Sequence, residues 1–245
     1  MSTGANDLSG QVVIVAGASS GMGRAPALAA AAAGARVVLA ARNAAALDHL
    51  GTTIHDAGGE AVAIVTDATE RDAVGHLIDG AFQRYGRIDV LVNSVGANIA
   101  RRALDALTVE SWSDMLATNL TAAFNLTQAV VPVFRQQQGG LLIHIASAAA
   151  KQPDRSGVAY QATKAGVVGL AHGTMEEERA HAVRTTVIFP GLTDTPLVLN
   201  RPVPVPPAVL AHALQPEDVA AACLFVMRLP PRAHIAELVV LPSRG

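Results

Sequence analysis

Apolar residues fall along this chain in short unbroken runs, separated by longer segments in which they recur at helical spacing. The runs are rich in Val and Ile and lack polar alternation, the pattern of strands covered on both faces. They predict seven strands: VVIVA from Val12, RVVLA from Arg36, AVAIVT from Ala61, VLVN from Val90, LLIHIA from Leu141, RTTVIF from Arg184 and ELVVL from Glu237. Helices are predicted between them over Gly21–Ala33, Ala44–Ala57, Glu70–Tyr85, Val109–Gln136, Val158–His181 and Pro216–Met227. Strand and helix in strict alternation imply an α/β fold with a doubly wound, parallel, seven-stranded sheet and right-handed crossovers. No internal repeat divides the chain, and one domain over residues 1–245 is expected.

Two places break the pattern. Pro26 falls several residues into the first predicted helix, past the turn where proline is comfortable, and predicts a small kink or a delayed start. RPVPVPP, Arg201–Pro207, cannot be helical and favours an extended polyproline conformation. It is read as part of a substrate-binding loop, 192–214, over the sheet's carboxyl edge, where open α/β folds bind ligands; a ligand for a proline-binding module is the alternative.

Composition narrows the classes. Of 245 residues, 51% are hydrophobic and 16% charged, which excludes disorder, and aromatics are only 3%, so the core must be built from Ala, Val, Leu and Ile. Eighteen basic against 20 acidic residues give a net charge of −2 with no basic stripe, which argues against nucleic acid as a partner. No apolar run approaches the ~20 residues of a bilayer span, and MSTGANDLSG has no signal-peptide core, so no membrane association and a cytoplasmic location are expected. One cysteine, Cys223, cannot form an internal disulfide, and the histidines lack metal-ligand spacing, so no metal is expected.

The candidate chemistry lies in two motifs. After the first strand, AGASSGMG sets Gly17, Gly21 and Gly23 in a strand-to-helix turn, where backbone can approach a pyrophosphate held by free amides and the helix dipole. In YQATK, Tyr160 and Lys164 stand at i and i+4, on one helical face, where an ammonium can stabilise a phenolate.

The spacing Gly-x-x-x-Gly-x-Gly is similar to that of the short-chain dehydrogenases/reductases, and further motifs extend the resemblance over almost the whole chain. These are NSVG (Asn93–Gly96), Asn119 in ATNL, Ser147 in IASAAA, YQATK 13 residues after Ser147, and PGLTDT with Pro190, Gly191 and Thr195. The resemblance implies a Rossmann-like domain in which Tyr160 is the acid/base and Lys164 assists it and binds the nicotinamide ribose. It implies that Ser147 holds the substrate oxygen and that Asn119 supports a proton-carrying water chain; a helical Asn bonded to backbone is the alternative. Cofactor contacts are implied for Gly17, Ser19, Ser20, Gly21, Met22, Gly23, Asp67, Ala68, Asn93, Gly96, Pro190, Gly191, Leu192, Thr193 and Thr195, besides Tyr160 and Lys164. Arg24 is a further candidate for the phosphate, and capping the following helix is the alternative for Asp67.

In that family an acidic residue ending the second strand selects NAD; here LAARN has Ala41 and then Arg42, which favours the 2′-phosphate of NADP(H), with a solvated surface arginine as the alternative for Arg42. Ala16 stands for the family's usual Thr and Ser94-Val95 for Asn-Ala, departures expected to tune cofactor affinity. The expected activity is NADP(H)-dependent hydride transfer between nicotinamide and a small-molecule ketone or secondary alcohol, as in a carbonyl reductase or alcohol dehydrogenase. A non-catalytic NADP(H)-binding regulator, or an epimerase or lyase, are the rival readings. The Leu, Val, Pro and Ala of 192–214 suggest an apolar substrate. Arg101 and Arg102 are candidates for attracting an anionic one, with plain surface exposure as the alternative, and the acidic run Glu176–Glu178 reads as a solvated face. The family further implies a homotetramer or homodimer packed through Val109–Gln136 and Val158–His181.

Overall fold

The computed structural model describes residues 8–244; the opening residues 1–7, where the missing signal-peptide core was read, and residue 245 lie outside the described residues. Seven strands form one parallel sheet in the order β3-β2-β1-β4-β5-β6-β7. They are β1 Val12–Ala16, β2 Arg36–Ala41, β3 Glu60–Val65, β4 Val90–Asn93, β5 Gly140–Ile145, β6 Val183–Pro190 and β7 Glu237–Val240. The helices are α1 Gly21–Ala32, α2 Ala44–Asp56, α3 Arg71–Tyr85, α4 Val109–Leu116, α5 Ala122–Gln137, α6 Val158–Glu177, α7 Pro207–Leu210 and α8 Pro216–Met227. Strand order reverses between β1 and β4, and the crevice outside the carboxyl ends at such a switch point is where doubly wound sheets bind ligands.

The two-residue period of a strand sends alternate side chains to opposite layers, and both layers are apolar. Val13, Val15, Val37, Leu39 and Ile143 pack with Ala27 and Ala30 of α1 and Val219 and Cys223 of α8. Val12, Ile14, Val38, Leu91 and Leu142 pack on the other face with Leu77 of α3 and Leu126, Val130 and Phe134 of α5. Fully buried side chains such as Phe134 and Leu77 each contribute about 1.5–3 kcal/mol. This two-sided burial explains why the strands read as unbroken apolar runs.

Three expectations are corrected. α1 starts at Gly21 and runs unbroken to Ala32 through Pro26, so there is no delayed start. Small neighbours, Gly23, Ala25 and Ala27, flank the buried ring, and the turn tolerates the missing N–H donor. The helix predicted over Val109–Gln136 is divided by a π-helical turn at Ala117–Thr121, centred on the fully buried Asn119. Glu178 is not solvated: it is 3% exposed and accepts a bidentate pair of bonds from Arg135 of α5, which hold its carboxyl below the usual range.

Among the described residues no helix is long and apolar enough to cross a membrane. The segment 192–214 is tied at its base, where Leu214 N–H donates to Leu192 and Asp194 N–H donates to Leu214.

Candidate active site

β1 delivers the chain into the glycine turn at the switch point. Gly17 has φ of +85°, and a Cβ there would lie 2.9 Å from the Ser94 carbonyl carbon at the exit of β4. A Cβ on Gly23 would lie 2.1 Å from the Gly17 carbonyl oxygen, so the first turn of α1 closes directly on the loop. Ser20 caps α1 with no side-chain bond, and the first turn contains no acidic residue. Its leading amides are therefore available to an anion at the positive end of the dipole. These residues floor a groove of about 430 Å³ lined by Gly17, Ser19, Ser20, Gly21 and Met22. A pyrophosphate fits a cradle that side chains would otherwise fill. Gly23→Ala is expected to weaken dinucleotide binding at least about tenfold and to lower stability by about 1–3 kcal/mol, read by fluorescence titration and thermal melting.

Arg42, Asp67 and Ala68 also line the groove wall, as does Gly96, where a Cβ would lie 3.0 Å from Lys164 Nζ. Arg42 is 75% exposed with Nη1 3.8 Å from Asp67 Oδ2, and β2 ends without a carboxylate. Asp67 Oδ1 accepts from the Thr69 amide at 2.9 Å and the Thr69 hydroxyl at 2.7 Å. The Thr69 amide, then its hydroxyl and Arg42, hold the carboxyl below its ordinary range. Asp67 thus shapes a tight turn before α3, whose own cap is Glu70. Arg24 does not line the groove.

Ser147 leaves β5 at its carboxyl end and caps a short 3₁₀ turn, accepting from Ala149 N–H at 3.2 Å. Opposite it α6 is preceded by its cap Gly157, whose φ of +94° no ordinary side chain adopts cheaply. One turn on, Tyr160 is 8% exposed, and the Ser147 side chain acts on its phenol. Lys164, 5% exposed, lies with Nζ 5.7 Å from the Tyr160 ring centroid and donates to the Ile145 carbonyl at 3.1 Å. Helical spacing and sheet topology thus bring Ser147, Tyr160 and Lys164 together.

Electrostatics within this cluster depart from expectation. Burial raises the Tyr160 phenol above its ordinary pKa, and the Ser147 side chain exerts the largest opposing effect. The neighbouring ammonium was expected to pull the phenol down; burial instead weakens that ammonium, bringing Lys164 down to about 8. At neutral pH the phenol therefore holds its proton and the lysine is largely charged.

Asn119 anchors this corner. Its Oδ1 accepts from Ala97 N–H at 2.7 Å, and its Nδ2 donates to the Ala97 carbonyl at 3.0 Å and to Thr163 Oγ1 at 3.1 Å. Both amide hydrogens are engaged, so the side chain clamps the exit of β4 onto α6 beside Lys164. Asn93 lies beneath the groove rather than in its lining: its Oδ1 accepts from Val95 N–H at 3.0 Å and its Nδ2 faces His144 Nδ1 at 3.2 Å. Because Oδ1 is committed to an amide, Nδ2 is the donor to His144, which places the imidazole proton on Nε2. Burial, with Lys164 adding, lowers His144 to about 4, and the ring is neutral. The sequence signals this cross-strand pair only as one histidine inside the apolar run LLIHIA.

A second cavity of about 390 Å³ opens from the groove, sharing Met22, Thr195 and Leu197 with it. Ser147, Tyr160, Pro190, Gly191, Leu192 and Thr193 line it. The segment 192–214 contributes less apolar wall than its composition suggests, because Val203, 76% exposed, and the prolines of 202–207 are outside the lining. In their place stand polar residues that sequence reasoning missed, Gln152, Asp154 and Arg201, together with Arg102. Arg102 is buried, 8% exposed, while Arg101 is exposed.

A glycine-floored groove at the switch point of a parallel sheet, opening onto a serine and a tyrosine with a buried lysine behind them, defines a Rossmann-like oxidoreductase. The profile of the short chain dehydrogenase family matches residues 11–202. An uncharacterized oxidoreductase of Staphylococcus haemolyticus is 32% identical over 237 residues, covering 96% of this chain and 99% of that protein. A metagenomic short-chain oxidoreductase crystallised in complex with NADP is 34% identical, with a TM-score of 0.84 over 97% of this chain and 99% of that one. A dehydrogenase/reductase of Sinorhizobium meliloti superposes with a TM-score of 0.87 at 27% identity, covering 98% of each chain. This chain belongs to the short-chain dehydrogenase/reductase family.

Proposed function

We propose that this protein is an NADP(H)-dependent carbonyl reductase, working in reverse as a secondary-alcohol dehydrogenase, with Tyr160 as its proton donor. One observation carries the reading: the Tyr160 phenol and Ser147, with Lys164 one turn behind, line a cavity continuous with the glycine groove. NADP(H), when bound, supplies or accepts the hydride. Ser147 Oγ orients and polarises the carbonyl oxygen, and the Tyr160 hydroxyl donates its proton to that oxygen as negative charge develops there. The Lys164 ammonium stabilises the phenolate left behind. Near-complete burial of Tyr160 and Lys164 keeps bulk water from competing for the proton.

The preference for the phosphorylated cofactor rests on Arg42 at the groove wall and on the side chain of Ala41, which offers no carboxylate to repel a 2′-phosphate. The NADP complex of the 34%-identical relative supports it. Ala41→Asp combined with Arg42→Ala is expected to lower the NADPH-over-NADH ratio of kcat/KM by about 100-fold; an unchanged ratio assigns selection elsewhere. Self-association as a homotetramer or homodimer belongs to the same reading, supported by half-exposed Phe124 on α5 and by Phe225 and Val239 near the β7 edge. So does a cytoplasmic location. The test of the reading is NADPH consumption against a panel of ketones and oxo acids: steady consumption with alcohol formed in equal amount supports it, and tight NADPH binding without turnover on any member favours a regulator.

A further inference from the structure

The most unusual side chain of the second cavity is Arg102. It is 8% exposed, and among the described residues no carboxylate lies within ion-pairing distance of it. A buried guanidinium normally has an anionic partner, because desolvating the charge is costly. Here the ring of support is neutral: Nε donates to the Ile99 carbonyl at 2.8 Å and Nη2 to the Asn200 carbonyl at 2.5 Å. Two of its five N–H donors are used to fix the plane, and three are left. The support extends further. Asn200 Nδ2 donates to the Asn98 carbonyl at 3.2 Å, Asn98 Nδ2 donates to the Ser156 carbonyl at 2.9 Å, and a Cβ on Gly157 would sit 2.8 Å from Arg102 Cβ. The segment that aims Tyr160 thus also seats Arg102, and the loop 192–214 closes over it through Asn200.

Arg201 lines the same cavity from that loop, and both guanidiniums act electrostatically on the Tyr160 hydroxyl. Asp154 is the opposing charge. It too lines the cavity and acts on Tyr160, but it is exposed and its Oδ1 accepts from the amide and hydroxyl of Ser156. Two cations and one screened anion leave a positive cavity, with the buried cation the less screened.

We infer that the carbonyl substrate is an oxo carboxylic acid whose carboxylate docks on the free edge of Arg102, with Arg201 closing on it from the loop. The inference rests on the carbonyl reductase reading and names its substrate class. In the reduction, the carbonyl carbon takes the hydride from NADPH, the oxygen takes the Tyr160 proton, NADP⁺ is released, and the carboxylate is unchanged. A planar guanidinium fixed by two backbone bonds suits a carboxylate's paired oxygens and leaves the acid's second carbonyl to Ser147 and Tyr160.

The experiment compares wild-type kcat/KM for short oxo acids with that for their methyl esters. It adds calorimetric binding of a saturated carboxylate of matched length to the NADP⁺-loaded protein. Wild type is expected to prefer the acids at least about 100-fold, and Arg102→Met to abolish most of that preference, read as the ratio of acid to ester kcat/KM within the variant. Arg201→Gln, which breaks no backbone support, is expected to reduce the preference by about three- to tenfold and keeps the proposal testable should Arg102→Met not fold. Esters turned over as well as or better than acids by wild type would overturn the inference and leave the reductase reading intact. Arg102-dependent binding of the saturated acid, with no carbonyl compound reduced, would uphold the anion site and sink the reductase reading.

Discussion

Tyr160→Phe is expected to slow single-turnover reduction by about 1,000-fold while leaving NADPH affinity within a few-fold. Only the hydroxyl is removed. The ring keeps its packing against Met115, Ala149 and Ala159, so the backbone of α6 has no reason to move. Ser147 keeps its own hydroxyl and the bond it accepts from the Ala149 amide, so orientation of the carbonyl survives and proton delivery does not. Stopped-flow decay of NADPH absorbance, with fluorescence titration of cofactor binding, separates the two effects. A variant as fast as wild type would remove Tyr160 from the proton path. Loss of cofactor binding would mean that the ring's hydroxyl is structural.

Lys164→Met is expected to divide function from stability. Turnover should fall by about two to three orders of magnitude, because the cation behind the phenol is lost. Stability near neutral pH should rise, by about 1 kcal/mol. Burial lowers the ammonium from 10.5 to about 8, a cost of about 3 kcal/mol to the folded state, against about 1–3 kcal/mol for leaving the Ile145 carbonyl without its donor. The sign fixes the pH window. Between pH about 8 and 10.5 the unfolded chain holds the lysine proton and the folded chain does not, so wild-type stability gains with pH in that range and the cost is fully present below it. The methionine variant has no such slope, and its advantage in thermal midpoint should shrink as pH rises from 8 towards 10.5. An advantage constant with pH would show that Lys164 is not held down by burial. A functional residue kept against stability is the expected condition of an active site.

The strands were legible because burial, on both faces of the central ones, fills them mainly with apolar and β-branched residues, with His144, Thr185 and Thr186 as buried polar exceptions in β5 and β6. The glycine turn and the Tyr160–Lys164 pair were legible because each is a local spacing set by backbone geometry. What periodicity could not reveal depends on distant contacts. Asn119 sits in a π turn because its amide bridges Ala97 and Thr163, 22 and 44 residues away, and nothing in ATNL alone marks that turn. Glu178 reads as one of three acidic residues at a helix end until Arg135, 43 residues earlier, reaches it. Arg102 reads as a surface arginine until Asn200, 98 residues later, folds across it. For the same reason the substrate loop's composition misled: Val203 and its neighbouring prolines face outward, and the cavity takes its character from elements either side of the loop.

The central claim is direct transfer of hydride from the dinucleotide to a substrate carbonyl whose oxygen is protonated within the Ser147–Tyr160–Lys164 cluster. Its most direct test is reduction by wild type of an oxo acid or ketone with NADPH carrying deuterium on the transferable C4 position, followed by mass spectrometry of the product. Quantitative appearance of the label on the carbinol carbon, with matching formation of NADP⁺, is the expected result. An unlabelled product, or label retained on a cofactor that shows no net change, would contradict it.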